Sequence, residues 1–174
     1  GYAPLGAMAA RRDIVDAVMA SGGFMHGYTY AGNPLACSAG VAVLEVLQRG
    51  NLVDRARVMG DKLKSELKDL MSHYEIIGDV RGKGLLLAFE LVSDRKTMAP
   101  LPPQLNAHVE LVEEAYKRGL IIYSRRTRGG TTGDHFMVCP PLIVDEDQIA
   151  EIIGLLAESL DAMIAKLNLP PRSG

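Results

Sequence analysis

Apolar residues recur at helical spacing through much of the chain. Ile14, Val15, Val18 and Met19 share one helical face, and Ser21-Gly22-Gly23 ends the run, which predicts a short surface helix. Asn33 is a good N-cap and Pro34 stands where a missing N–H costs nothing, so a long helix starts there. Its first turns, Leu35 to Gly40, carry mostly small side chains that let another backbone or subunit approach. Val41, Val43, Leu44, Val46 and Leu47 then make it apolar on most sides, the mark of a helix lying in an interior. Gly50 as C-cap and Asn51 as N-cap separate it from a second helix, with Leu52, Ala56, Met59, Leu63, Leu67 and Leu70 along one stripe.

Beyond Ser72 the pattern turns to strands. Tyr74 to Val80 and Leu85 to Val92 flank a turn through Gly82 and Gly84, with Leu85, Leu87, Phe89 and Leu91 on one face. Ser93 to Gln104 holds three prolines and reads as an exposed loop. Asn106 is expected to cap a helix bearing Val109, Val112, Ala115 and Tyr116, closed by Lys117, Arg118 and Gly119, and Leu120 to Tyr123 resumes a strand. Ser124 to Asp134 reads as a mobile basic loop, His135 to Cys139 as a strand stopped by Pro140-Pro141. Asp145 and Gln148 form a capping-box-like start to a last helix, whose stripe runs from Ile149 to Leu167, and Pro170 to Gly174 is a frayed end. Near the start, Tyr2 to Ala10 is apolar with little alternation, a strand covered on both faces that Pro4 confines to an edge or entry point of a larger sheet. The fold class is α/β.

Composition narrows the function little. At 174 residues, 48% hydrophobic and 23% charged, the chain is that of an ordinary globular protein. A net charge of −2, with 19 basic residues scattered among 21 acidic ones, gives no basic stripe and no nucleic-acid partner. No apolar run approaches a membrane span and no signal peptide is evident, so a cytoplasmic protein is expected. Cys37 and Cys139 form no metal-ligand pattern and read as buried, reduced thiols.

The chemistry gathers ahead of the long helix. His26, Tyr28, Thr29 and Tyr30 stand beside Gly27 and Gly32, polar groups on a flexible backbone before a positive helix end, which suits an anion. The run His26-Gly27-Tyr28-Thr29-Tyr30-Ala31-Gly32-Asn33-Pro34-Leu35-Ala36-Cys37 occurs with three other motifs, in order. These are the opening Gly1-Tyr2-Ala3-Pro4-Leu5-Gly6-Ala7, then Val80-Arg81-Gly82-Lys83-Gly84-Leu85, then Cys139-Pro140-Pro141-Leu142-Ile143. Over nearly the whole chain this resembles the class III aminotransferases, pyridoxal 5'-phosphate (PLP) enzymes of fold type I.

The resemblance implies that residues 1–50 end a large PLP-binding domain and begin its linking helix, and that residues 51–174 are a C-terminal small α/β domain. The lysine forming the Schiff base with PLP is expected upstream of Gly1, so no residue of this chain is assigned as catalytic and the chain alone is expected to be inactive. The Tyr28 N–H and the Thr29 N–H and hydroxyl would reach the cofactor phosphate of the neighbouring subunit, giving a homodimer with a composite active site. Arg125 and Arg126, with Arg128 as a further candidate, would clamp a substrate carboxylate through the guanidinium fork.

Without the resemblance, Thr29 is an ordinary turn residue and the arginines are an exposed basic loop. His26 and Asn33 read best as structural, Arg81 as part of a turn, and Lys62, Lys64 and Lys68 as solvated charges; Lys83 stands outside the context of the family's lysine. Relatives that use ornithine carry an arginine in the strand before the double proline, where this chain has His135-Phe136-Met137-Val138. The small-molecule substrates implied are an amine or ω-amino acid and an oxo acid such as pyruvate. The alternatives are an aminomutase or dialkylglycine-type decarboxylase of the same fold, or a non-catalytic interaction domain.

Overall fold

A computed structural model of the protein describes residues 3–172, the side chain of Arg128 excepted; Gly1 and Tyr2 of the opening motif and the last two residues of the expected frayed end lie outside them. The chain divides into two compact units, Gly1–Asn51 and Leu52–Gly174.

In the first unit the expected strand over residues 2–10 is not formed at its described positions, residues 3–10. A strand exists by sharing its N–H and C=O groups with a neighbour, and no described segment pairs with this one. Helix α1 (Arg12–Ala20) follows and ends at Ser21, with Gly22 and Gly23 at φ 115° and 85°. Helix α2 (Pro34–Arg49) opens on the expected cap, for the Asn33 side chain accepts from the Ala36 N–H at 3.1 Å. It is not buried, in contrast to the expectation: Val41, Val43 and Leu44 are each more than half exposed. A helix apolar on most sides needs covering layers on several sides, and the first unit supplies none. At Gly40 the Leu5 side chain lies 2.4 Å from where a Cβ would stand, so a larger residue there would push the tip of Leu5 aside. The helix closes at Gly50, and the left-handed step falls on Asn51 (φ 47°), whose N–H donates to the Gln48 carbonyl at 3.1 Å.

The second unit is built on helix α3 (Leu52–His73) and an antiparallel sheet. Strands β1 (Ile77–Lys83) and β2 (Leu86–Asp94) make the hairpin, about three residues later at its start than the periodicity predicts. Short β3 (Ala99–Pro100) adds to β2, and a 3-10 turn covers Pro103–Leu105. The expected exposed loop is thus partly ordered: Ser93 Oγ donates toward the Ala99 and Pro100 carbonyls, and Leu101 is buried. Helix α4 (Ala107–Lys117) is not capped by the Asn106 side chain. That residue is left-handed (φ 48°, ψ 36°), and its own carbonyl takes the Val109 and Glu110 N–H groups at 2.8 and 3.1 Å.

The largest difference lies at β4 (Tyr123–Thr127) and β5 (Thr132–Val138), an antiparallel pair joined by the turn Arg128–Gly130. The mobile loop expected over residues 124–134 is a strand, a tight turn and the start of another strand. Edge strands carry polar side chains, so the hydrophobic alternation that betrays a strand is missing from β4. Helix α5 (Glu146–Leu167) starts at the expected capping box, with Gln148 N–H to Asp145 Oδ1 at 2.9 Å and the reciprocal bond at 3.1 Å.

The sheet order is β1-β2-β5-β4, with β3 on β2. One face carries Leu87, Phe89, Leu91, Phe136 and Val138 into a core completed by Leu63 and Leu67 of α3, Leu111 of α4, and Leu156, Leu160 and Met163 of α5. Phe89 and Phe136 stack at 5.0 Å between ring centroids. Gly60 lets α3 lie on the hairpin turn, since a Cβ there would fall 2.2 Å from the Gly84 carbonyl carbon. Lys62, expected to be merely solvated, pairs with Glu146 at the start of α5, and Lys64 donates to the Gly82 carbonyl. Arg81, expected to be structural, bridges Asp79 and Glu90 at 2.8 and 2.9 Å.

On α4, hydrogen bonds from Lys117 and then Arg118 pull the Glu114 carboxyl down to about 2 from 4.5. A carboxyl lowered on folding stabilises the fold above its unfolded pKa, and that contribution disappears as pH falls through the folded one. Wild type therefore loses stability between about pH 5 and pH 2 that a Glu114→Gln variant never had. Melting temperatures of the two measured across that range should converge at the acid end.

Candidate functional site

The loop ahead of α2 is organised by its own rings and turns. His26 packs edge-on against Phe24 at 5.8 Å and Tyr28 at 4.7 Å, a supporting role consistent with its structural reading. Two successive turns follow: Ala31 N–H donates to the Tyr28 carbonyl at 2.9 Å, and Asn33 N–H to the Tyr30 carbonyl at 3.0 Å. Gly32, at φ 72°, makes the bend into the helix. Tyr28 is 73% exposed and Thr29 is also exposed. The Thr29 hydroxyl and the Tyr28 and Thr29 N–H groups bond to nothing among the described residues. Three uncommitted donors on one loop, just before a capped helix N-terminus, are the set that a phosphate dianion takes up. The donors present fit the cofactor phosphate that the sequence implies.

A second polar site lies within the other unit. A cleft of about 680 Å³ is lined by His108, Ser124, Arg125, Arg126, Thr127, Gly129 and Gly130. The two arginines, adjacent on β4, are in different states. Arg126 donates through Nε to Asp134 Oδ1 at 2.9 Å and through Nη2 to the Pro103 carbonyl at 2.7 Å. Arg125 is exposed and has no ion pair among the described residues. The side chain of Arg128 lies outside the described residues. Asp134 is 1% exposed, and His108 Nδ1 comes within 3.3 Å of the same oxygen. Burial, and then the Arg126 charge, hold the His108 ring below its ordinary pKa against the pull of Asp134. Asp134 and His108 were not legible in the sequence as site residues, because a lone aspartate at the end of a glycine-rich stretch looks like a turn residue.

Cys139 is exposed and Cys37 half-buried, so the reading of both as buried thiols is corrected; Cys139 follows the last residue of β5, where Pro140 ends the pairing that would have covered it. Among the described residues no group of three or more His, Cys, Asp or Glu is placed to hold a metal ion, and no helix is long and apolar enough to cross a membrane.

Known proteins resemble this chain in sequence and fold. An uncharacterized aminotransferase of Bacillus subtilis (strain 168), YodT, is 35% identical over 97% of this chain and 38% of its own length. The 5-aminovalerate aminotransferase DavT of Pseudomonas aeruginosa is 33% identical over 94% of this chain and 36% of its own length. The crystal structure of a Bacillus anthracis aminotransferase superposes with a TM-score of 0.74 at 32% identity, covering 87% of this chain and 34% of the other. The chain thus spans little more than a third of the length of these relatives. With the family profile Aminotransferase class-III matching residues 1–160, the chain belongs to the class III aminotransferases.

Proposed function

We propose that this chain supplies the phosphate-gripping loop and the substrate-carboxylate arm of a PLP-dependent aminotransferase, which moves an amino group from an amine or ω-amino acid to an oxo acid such as pyruvate. The observation that carries the reading is the Tyr28-Thr29 turn, whose donors are all uncommitted while the turn around them is internally bonded. PLP, when bound, supplies the electron sink for cleaving bonds at the amine carbon.

The chain's own residues hold and orient. Thr29 and the two N–H groups fix the phosphate so that the ring does not drift during the exchange of amines. In this reading they reach the cofactor of a second copy, so that the working enzyme is a homodimer with a composite site. Arg125 meets the substrate carboxylate with its bidentate fork and turns outward for an uncharged amine. Arg126, already bonded twice, is the weaker candidate of the two. The printed name of DavT, a 5-aminovalerate aminotransferase, supports an ω-amino acid as donor.

In the full-length enzyme, Thr29→Ala removes one charge-assisted hydrogen bond and should weaken PLP retention by about tenfold or more. Dialysis against cofactor-free buffer with absorbance of the bound coenzyme measures it. Unchanged retention would overturn the assignment. Arg125→Ala should raise KM for 5-aminovalerate by about tenfold while an uncharged amine of similar length is far less affected; steady-state kinetics on both donors decide it.

A further inference from the structure

The two arginines side by side on β4 are chemically identical, yet one is locked and the other loose. We infer that Asp134 is the positioning residue that divides their labour, holding Arg126 as a strut across the small domain and leaving Arg125 as the guanidinium that meets substrate. The first half stands on the geometry alone, and the second rests on the proposed function.

Three observations place the strut. Arg126 and Asp134 are register partners on β4 and β5, so the pair needs no backbone adjustment to meet. Asp134 is almost wholly buried, and a buried carboxylate persists only when paired and hydrogen-bonded; its close neighbours are the Arg126 Nε and the His108 ring. His108, held toward its neutral form, is the lesser source of compensating charge. The remaining Arg126 contact, to the Pro103 carbonyl, ties the hairpin to the turn that leads into α4. Releasing Arg126 toward a ligand would strand the Asp134 charge in the interior. Turning Arg125 breaks nothing, because alternation along a strand sends it to the opposite side from Arg126. Gly133, at φ 81°, reinforces the arrangement: a Cβ there would sit 2.2 Å from Thr127 Oγ1, so the hairpin closes tightly only with glycine beside Asp134.

Arginine-selective labelling of the 174-residue chain with phenylglyoxal, followed by peptide mass analysis, tests the strut without cofactor or activity. In the wild type Arg125 should react about tenfold faster than Arg126, whose two charge-assisted bonds must open first. Asp134→Ala should bring Arg126 close to the rate of Arg125. Asp134→Asn, which keeps an acceptor in the same place, should give an intermediate rate in a folded chain and serves if the alanine variant does not fold. Equal labelling of both arginines in the wild type, or a ratio unmoved by Asp134→Asn, overturns the strut.

The second half is read in the full-length enzyme. Asp134→Asn should raise KM for a carboxylate-bearing amine by about tenfold more than for an uncharged one of the same length. Equal losses on both donors would make Asp134 a stability residue only and overturn its positioning role. Should Arg125→Ala leave carboxylate preference intact while the labelling ratio is as expected, the substrate arm falls and the strut stands.

Discussion

Replacing Gly60 by alanine destabilises the Leu52–Gly174 unit by about 3 kcal/mol. Helix propensity alone predicts the opposite sign, since alanine in a helix interior is favoured over glycine by about 1 kcal/mol. Packing decides the matter. The added Cβ would lie 2.2 to 2.5 Å from the carbonyl carbon, carbonyl oxygen and Cα of Gly84, all backbone atoms of a turn that cannot rotate away as a side chain can. Gly84 itself is left-handed (φ 55°), a conformation that glycine takes without strain and that brings its backbone against α3. The helix must lift off the hairpin or the turn must open, and either move disturbs Leu63 and Leu67 one and two turns further along. Urea unfolding monitored by circular dichroism gives the answer, and an increase in stability would show that α3 does not rest on the hairpin turn as described.

The second large effect is expected at Phe136. Its side chain is fully buried, stacks on Phe89 across β2 and β5, and follows directly on Asp134 and His135. Phe136→Ala removes a ring from a core contributed by three strands and three helices, and should cost about 4 kcal/mol. The loss reaches the candidate site, because Phe136 anchors β5 on β2, and the same strand carries Asp134 opposite Arg126. Phe136→Leu, which refills much of the volume, should recover well over half of the loss. Denaturant melts of both variants test this, and equal losses for alanine and leucine would mean that ring stacking, rather than volume, carries the stability there.

How far the sequence spoke for the structure depended on where each element's information lies. Helices α3 and α5 were legible because each buries one stripe, and the capping residues Asn33 and Asp145 announced helix starts through local bonds that need no tertiary partner. Strand β4 was not, since an edge strand with Tyr123, Arg125 and Arg126 shows no apolar alternation and is fixed by pairing with β5. Asn106 misled for a related reason: its preference for caps and its tolerance of left-handed backbone both make it common at helix starts, and here the second property won. The expected strand over residues 2–10 and the expected burial of α2 both depended on neighbours outside their own residues.

The candidate site followed the same division. Tyr28 and Thr29 could be marked from sequence because a motif carried them. Arg125 could be marked but not separated from Arg126, since adjacent residues with the same side chain differ only in which face of the strand they occupy. Which of the two carries an ion pair was settled by Asp134, eight residues beyond Arg126 and on another strand.

The core of the second unit is closed by residues far apart in the chain. Lys62 of α3 pairs with Glu146 of α5 across 84 positions, and Leu63 and Leu67 share one interior with Leu156 and Leu160. During translation the hairpin of β1 and β2 leaves the ribosome several seconds before α5, at about 5–20 residues per second. Through that interval the oily side of β2 is covered by α3 but not by α5, and contacts of such long sequence separation form slowly because the loop between them must first be closed. Nascent chains of this domain should therefore need the shelter of a holding chaperone until the last helix arrives.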